Sequence, residues 1–170
     1  MVYLIGVDHK VQYTNDHMDI LLVKSFAQYL KGQAKQLKVT LIAEEFNQEA
    51  ICKSKAKACT ARDVAKKLGI EHRFCDPDST ERASIGIPSE KEIKEQLGLG
   101  VCLTHDEFEL LEKEEEKYFP QREQFWFEKI EDKINNDLIF ICGNKHIKSF
   151  QKLLIEKGCK VKNLSEGWGN

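Results

Sequence analysis

The sequence predicts an α/β fold, a single domain over residues 1–170 in which a mostly parallel central sheet is flanked by helices. Apolar, β-prone runs alternate along the chain with stretches whose apolar residues have helical spacing. Near the C-terminus, a strand, a helix of about ten residues and another strand follow one another, the order that joins parallel strands. A chain of 170 residues also has the usual length of one domain.

The individual elements follow from the same patterns. The predicted strands cover residues 2–5, 39–43, 72–75, 138–142 and 159–164. The predicted helices cover residues 18–30, 48–68, 121–134 and 147–156. We expect the first helix to end at Gly32 and the second to run without interruption to Gly69, because glycine commonly ends helices. Residues 85–120 are interpreted as a helical connector or lid, and the acidic stretch 106–118 as an exposed helix face without chemistry.

Composition narrows the classes of function. Hydrophobic residues make up 41% and charged residues 32% of the chain, which is typical of a globular protein. The net charge of −2 offers no basic face for phosphates, so we expect no nucleic-acid partner. No run reaches the roughly 18 apolar residues of a membrane span, and the apolar start is too short for a secretory leader. Six cysteines without a C-x-x-C pair indicate structural thiols, and we expect a cytoplasmic protein.

One four-residue pattern occurs twice, each time directly after a predicted strand. Gly6 and His9 follow the first strand, and Gly143 and His146 follow the strand at 138–142. A glycine leaving a strand allows a sharp turn, so each histidine can stand at the carboxyl edge of the sheet, where open α/β folds bind ligands. The repeat indicates one site shared by both histidines. The alternative is two unrelated histidines in turns.

Carboxylates also follow strands. Glu44 and Glu45 end the second strand, and Asp76 follows the third. Parallel strands would bring these groups and the two histidines to one crevice. Such a set can ligate a divalent metal ion, Zn²⁺, Mn²⁺ or Fe²⁺, or it can move protons as general acid and base without metal. The alternative is that each carboxylate caps the helix that follows it.

The order of these pieces resembles the TraB/PrgY/Tiki superfamily and, more distantly, erythromycin-esterase-like and ChaN-like proteins. The matching pieces are Gly6 to His9, Ala43 to Glu45 with Gln48 to Ala50, Asp76 with Thr80 and Arg82, Arg122 and Glu123 before Phe125 to Phe127, and Ile141 to His146. They cover most of the chain in order, although each is short. Two adjacent glutamates where one is expected, and Pro77 in place of an arginine, depart from the family pattern.

The resemblance implies an α/β fold with one site of paired histidines and acidic residues, in some members a metal-dependent peptidase site. Carried over by position, Arg82 and Arg122 would steady a substrate carboxylate or an oxyanion. Which of the two adjacent glutamates faces the site stays open. The candidate metal ligands are His9, His146, Glu44 and Asp76, and the candidate catalytic residues are Glu44, Glu45, Arg82, Arg122 and Glu123.

The leading hypothesis is therefore a hydrolase that uses a divalent metal ion to cleave a peptide or ester bond in a small-molecule or peptide substrate. One alternative is a catalytically silent protein of the same fold that binds a small ligand or peptide. Another is an interaction module of phage or defence origin that works through its acidic helix and C-terminal tail. His72 and His105, beside a strand and in a loop, are interpreted as structural.

Overall fold

The centre of the molecule is a five-stranded, all-parallel sheet with the strand order β5-β3-β6-β1-β7. The computed structural model describes residues 1–14 and 20–169. The strands are β1 Val2–Val7, β2 Tyr13–Thr14, β3 Leu41–Glu44, β4 Ala58–Cys59, β5 Glu71–Phe74, β6 Leu138–Gly143 and β7 Val161–Trp168. The two short strands β2 and β4 pair antiparallel outside the main sheet. The predicted α/β fold with a mostly parallel sheet is confirmed.

Helices cover both faces of this sheet. They are α1 Ile20–Leu37, α2 Gln48–Lys53, α3 Thr60–Leu68, α4 Ser79–Ser84, α5 Glu90–Leu97, α6 His105–Glu116, α7 Phe119–Ile130 and α8 Ile147–Glu156. Helix α8 has the predicted bounds. The stretch interpreted as a connector or lid contains α5 and α6, which begin with capping boxes at Ser89 and Thr104.

Three helix predictions were wrong at their boundaries. The predicted helix 121–134 is α7, Phe119–Ile130, and a short 3₁₀ helix follows it at Glu131–Lys133. Helix α1 passes through Gly32 and ends at Leu37, because Ala34 extends its buried face; its predicted start at Met18 lies outside the described residues. The predicted helix 48–68 is two helices, because Lys55 takes a left-handed conformation (φ 52°) and β4 then pairs with β2. That pairing joins segments more than 40 residues apart, so local periodicity does not reveal it.

The three central strands, β1, β3 and β6, present alternate residues to two different cores, as the period of two in a β-strand requires. On one face, Leu41 and Ala43 of β3 pack in the core that contains Trp126 of α7 and Phe150 of α8. On the other face, Ile42 packs in the core built from α1 and α3. Residues that adjoin along β3 therefore meet different sets of helices.

The described part of the chain contains no helix that is both long and apolar enough to cross a bilayer. The cysteines are free thiols, and three of them, Cys59, Cys75 and Cys142, are buried. Localisation in the cytoplasm stays a prediction.

Candidate functional site

The two G-x-x-H patterns lie at the same edge of the sheet, because β1 and β6 are adjacent parallel strands. Their register places Val7 beside Gly143. A short 3₁₀ turn follows each strand, with His9 beginning the first turn and His146 ending the second. The pairing of these two strands brings both histidines to one edge of the sheet, as a shared site requires.

Both glycines are needed for close approach rather than for a sharp turn. A Cβ atom on Gly143 would lie 2.8 Å from Nε2 of His9, and a Cβ atom on Gly6 would lie 2.7 Å from Cγ1 of Ile147. Neither glycine has a positive φ angle, so any residue could adopt its backbone conformation. The expectation of a glycine-dependent turn is therefore wrong, and the physical reason for the repeated glycine is space.

Glu45 lies between the two histidines. Its Oε1 atom is 3.6 Å from Nε2 of His146 and 3.9 Å from Nε2 of His9, and it accepts a hydrogen bond of 2.8 Å from Arg122. Its Oε2 atom accepts a 2.7 Å bond from the backbone N–H of Gly143. Burial by itself would raise the pKa of Glu45, but the charges of His146, Arg122 and His9 hold it well below its ordinary value. Glu45 is thus a buried carboxylate that stays ionised.

The orientation of His146 follows from the groups around its ring. Nδ1 lies 2.8 Å from Oε1 of Glu123, which also accepts a hydrogen bond from Ser149. Because an ionised carboxylate can only accept, Nδ1 carries a proton and Nε2 faces Glu45. The Phe119 ring lies against the imidazole with centroids 3.7 Å apart, and the edge of Trp126 closes another side. The ring is therefore fixed with Nε2 directed at the cavity.

The orientation of His9 is set by a fully buried glutamine. The Gln12 amide nitrogen donates to Oε2 of Glu44 at 3.0 Å, so its amide oxygen must be the atom that lies 2.6 Å from Nδ1 of His9. An oxygen acceptor at that position places the proton on Nδ1. His9, which is half exposed, therefore also presents Nε2 to Glu45.

The two imidazole nitrogens thus stand on either side of Oε1 of Glu45, at 3.9 and 3.6 Å, although the three atoms do not all lie within 4.8 Å of one another. In neutral rings with the proton on Nδ1, both Nε2 lone pairs face the negative charge of Glu45. Arg122 compensates the charge of Glu45, and the two Nε2 lone pairs can still accept a cation or protons. The set is suited to a divalent metal ion, and the acceptors behind each ring match the usual outer partners of metal-binding histidines.

The two arginines share Asp76 as their anchor. Oδ1 of Asp76 accepts bonds from Arg122 at 2.6 and 3.0 Å and from the Trp126 indole at 3.2 Å, and Oδ2 accepts a 2.7 Å bond from Arg82. The carboxylate of Asp76 is therefore directed at the arginines and not at the imidazoles. Arg122 bridges Asp76 and Glu45, whereas Arg82 bonds Asp76 and the backbone carbonyl of Pro77.

Of the two adjacent glutamates, Glu45 is the one at the cavity. The side chain of Glu44 points to the opposite face of the sheet, where it contacts Gln12, Cys59 and His72. The question that the sequence left open is decided by strand alternation. Glu44 and Asp76 were both predicted as metal ligands. Glu44 bonds groups on the other face of the sheet and Asp76 bonds the arginines and Trp126, so neither takes the place of Glu45 between the two histidines.

The cavity above these groups has a volume of about 620 Å³. Its floor is formed by His9, Glu45, Arg122 and His146, and its wall includes Phe108, Glu112, Glu115, Glu116 and Phe119. Helix α6, interpreted as an exposed face without chemistry, thus supplies one side of the cavity. Burial and the nearby Glu90 raise the pKa of Glu115. The cavity thus lies between the groups around Glu45 and a wall in which Lys145 pairs with Glu112 and Glu116.

Sequence reasoning missed three residues of this site: Gln12, Phe119 and Ser149. Gln12 and Ser149 each come three residues after a site histidine, close enough to reach back to its surroundings. That spacing, present after both histidines, was a usable signal. Phe119 carried no such signal, because its contact with His146 joins distant segments.

Compared with known proteins, the chain matches no protein-family model, no curated protein and no solved structure. The resemblance to the TraB/PrgY/Tiki superfamily therefore depends on the motifs alone.

Proposed function

We propose that this protein is a metal-dependent hydrolase that cleaves a peptide or ester bond. His9, His146 and Glu45 would hold the divalent ion, Zn²⁺, Mn²⁺ or Fe²⁺. The observation that carries this proposal is the convergence of the two Nε2 atoms on Oε1 of Glu45, at 3.9 and 3.6 Å. A bound ion of this kind lowers the pKa of a coordinated water towards 7 and polarises a carbonyl group.

The residues around the ion have separate tasks. Glu123 holds His146 in the tautomer that leaves Nε2 free, and Gln12 does the same for His9. Arg122 lines the cavity and carries a positive charge next to Glu45, so it supports negative charge that develops on a substrate oxygen. Arg82 acts through Asp76 and is a positioning residue.

The cavity favours a substrate with an apolar or cationic portion. Phe108 and Phe119 offer aromatic surface, and Glu115 is a half-buried carboxylate in the same wall. A peptide or ester with a basic group near the cleaved bond would place that group against Glu115 and its carbonyl near Arg122. Charge complementarity of this kind selects among substrates.

Metal binding and turnover test the proposal together. The purified protein is stripped with a chelator, loaded with Zn²⁺ or Mn²⁺, and assayed on a p-nitrophenyl ester and on chromogenic peptide anilides. We expect metal-dependent hydrolysis that the double variant His9→Ala, His146→Ala loses by at least about 100-fold while it keeps its far-ultraviolet circular dichroism spectrum. His105→Ala is the matched control, because that histidine is on the outer surface of α6 with an exposed side chain.

A second result would favour the catalytically silent ligand-binding protein. Arg122 already donates to the same Oε1 atom that would ligate the ion, so the site has a cation without metal. If wild type takes up no metal at the cavity and hydrolyses none of the panel, the hydrolase proposal is wrong. Binding of cationic peptides that depends on Glu115 would then identify the cavity as a capture site.

A further inference from the structure

A second cluster of potential metal ligands lies on the face of the sheet opposite the cavity. Oε1 of Glu44 is 2.9 Å from Sγ of Cys59 and 2.7 Å from Nε2 of His72. The three ligand atoms all lie within 4.8 Å of one another. Within residues 1–14 and 20–169, no other group of three histidine, cysteine, aspartate or glutamate side chains is this compact. The cluster shares no ligand with the His9, Glu45 and His146 set.

The fold brings these three side chains together from separate elements. Glu44 ends β3, and His72 stands on the adjacent parallel strand β5, opposite Ile42 and on the same face as Glu44. Cys59 ends β4 and occupies the N-cap of α3, where its side chain makes no capping bond. Its sulfur is directed at Glu44 instead.

The charge of Glu44 is the reason to expect a cation. The carboxylate is fully buried, and in the described part of the chain its ion-pair partner is His72, without an arginine or lysine. A buried carboxylate is costly unless its charge is compensated. Three arrangements are neutral: a protonated Glu44 with a neutral His72 and a Cys59 thiol, a protonated His72 with an ionised Glu44 and a Cys59 thiol, or a divalent cation with an ionised Glu44, a Cys59 thiolate and a neutral His72.

We propose that Glu44, Cys59 and His72 form a buried site for a thiophilic divalent cation of the Zn²⁺ type. One thiolate, one imidazole and one carboxylate are ligands that Zn²⁺ accepts in tetrahedral geometry, with a fourth position left for water. Binding releases the thiol proton of Cys59, so the three ligands and the ion sum to zero charge. This inference is independent of the hydrolase proposal.

The spacing of the ligand atoms is compatible with this ion. With bond lengths typical of zinc, neighbouring ligand atoms lie about 3.3 to 3.6 Å apart. The observed distances of 2.9 and 2.7 Å to Oε1 of Glu44 are hydrogen-bond distances, so binding separates the atoms by less than about 1 Å. His72 has a side chain with 10% of its surface exposed, whereas Glu44 and Cys59 are fully buried, so the ion enters past His72.

An ion at this point would hold β3, β5 and the start of α3 together. It would also hold Glu44 in place. Glu44 accepts a hydrogen bond from Gln12, and Gln12 in turn orients His9. The site is therefore structural, and it stiffens the support of the cavity from the far side of the sheet.

Titration with Co²⁺ tests the site apart from the cavity. The double variant His9→Ala, His146→Ala is used, reduced with a phosphine and stripped of metal, so that the cavity ligands are gone. We expect one equivalent of Co²⁺ to bind with a near-ultraviolet band from thiolate-to-cobalt charge transfer. Adding Cys59→Ser should remove the band and lower the affinity at least about 100-fold, whereas adding Cys52→Ser, at an exposed thiol, should change neither.

The outcomes are separable. A folded double variant that shows no thiolate band, or binds Co²⁺ with an affinity unchanged by Cys59→Ser, overturns the site and leaves a cluster held by hydrogen bonds alone. If Cys59→Ser does not fold, His72→Gln replaces it and should reduce the affinity by the same factor. Loss of hydrolysis in the double variant with the thiolate band retained would concern the cavity only.

Discussion

Glu44 and Glu45 are neighbours in sequence, and their surroundings differ in almost every respect. Glu45 faces an open cavity and is held by the charge of Arg122, with two histidines close to the same oxygen. Glu44 faces a closed core and is held by Gln12, Cys59 and His72. The face of the strand, and not the residue type, therefore decides whether a carboxylate at a strand end faces the cavity or the protein core.

Gln12 is the connection between these two regions. Its amide oxygen accepts a hydrogen bond from Nδ1–H of His9, and its amide nitrogen donates one to Glu44. A change at Glu44 is therefore transmitted to His9 through one hydrogen-bonded side chain that is itself fully buried. Variants on each side of Gln12 test how far the two regions depend on each other.

The largest effect on stability should come from Arg122→Met. This change leaves the buried carboxylates of Glu45 and Asp76 without their shared cation, so we expect the free energy of unfolding to fall by about 3–5 kcal/mol. Urea denaturation measures it. Lys148→Met, at an exposed position of α8, is the control and should cost no more than about 0.5 kcal/mol. Equal losses would mean that Glu45 does not depend on Arg122.

The next largest effect should separate the two glutamates directly. In a Cys59→Ser background, where the second cluster is disabled, Glu45→Gln should weaken metal binding at the cavity at least about 100-fold, because a ligand oxygen loses its charge. Glu44→Gln should change it by less than about 10-fold, because Glu44 acts only through Gln12. Calorimetric titration with Zn²⁺ measures both. The reverse order would mean that the ion does not bind at Glu45.

A smaller effect is expected for Gln12→Met, which removes the bonds to both regions and keeps the side-chain volume. His9 loses the acceptor that fixes its tautomer, so kcat/KM should fall about 10- to 100-fold with the cavity intact. The control is Gln124→Met, whose amide bonds only Glu128 on the surface of α7. Unchanged kinetics in the Gln12 variant would show that His9 needs no positioning residue.

The smallest effect concerns the stability of the protein at low pH. The pKa of Glu45 is lowered in the folded state, chiefly because the charges of His146 and Arg122 outweigh burial. Its contribution to stability is therefore complete above its ordinary pKa of 4.5 and is lost as the pH falls towards the folded value. The stability advantage of wild type over Glu45→Gln should shrink by on the order of 1 kcal/mol as the pH is lowered from about 5. A constant difference would contradict the lowered pKa.

Much of the architecture followed from local patterns. The strand before His146 and helix α8 matched their predicted positions to within one residue, because buried runs and amphipathic helices carry a clear period. The antiparallel pair of β2 and β4, which splits the predicted helix 48–68, did not follow, because two residues on each side carry no periodic signal. At the site, the repeated G-x-x-H pattern was visible, but its reason, the space that His9 and Ile147 need, was not.

By itself, the sequence determined that strands and helices alternate and that two histidines and several carboxylates follow strands. Both properties depend on neighbours along the chain, which the backbone period expresses directly. Only the tertiary structure decided that Glu45 joins the histidines while Glu44 joins Cys59 and His72, and that Asp76 anchors arginines. Those assignments depend on where α3 and α7 pack against the sheet, and packing brings together residues that no local period relates.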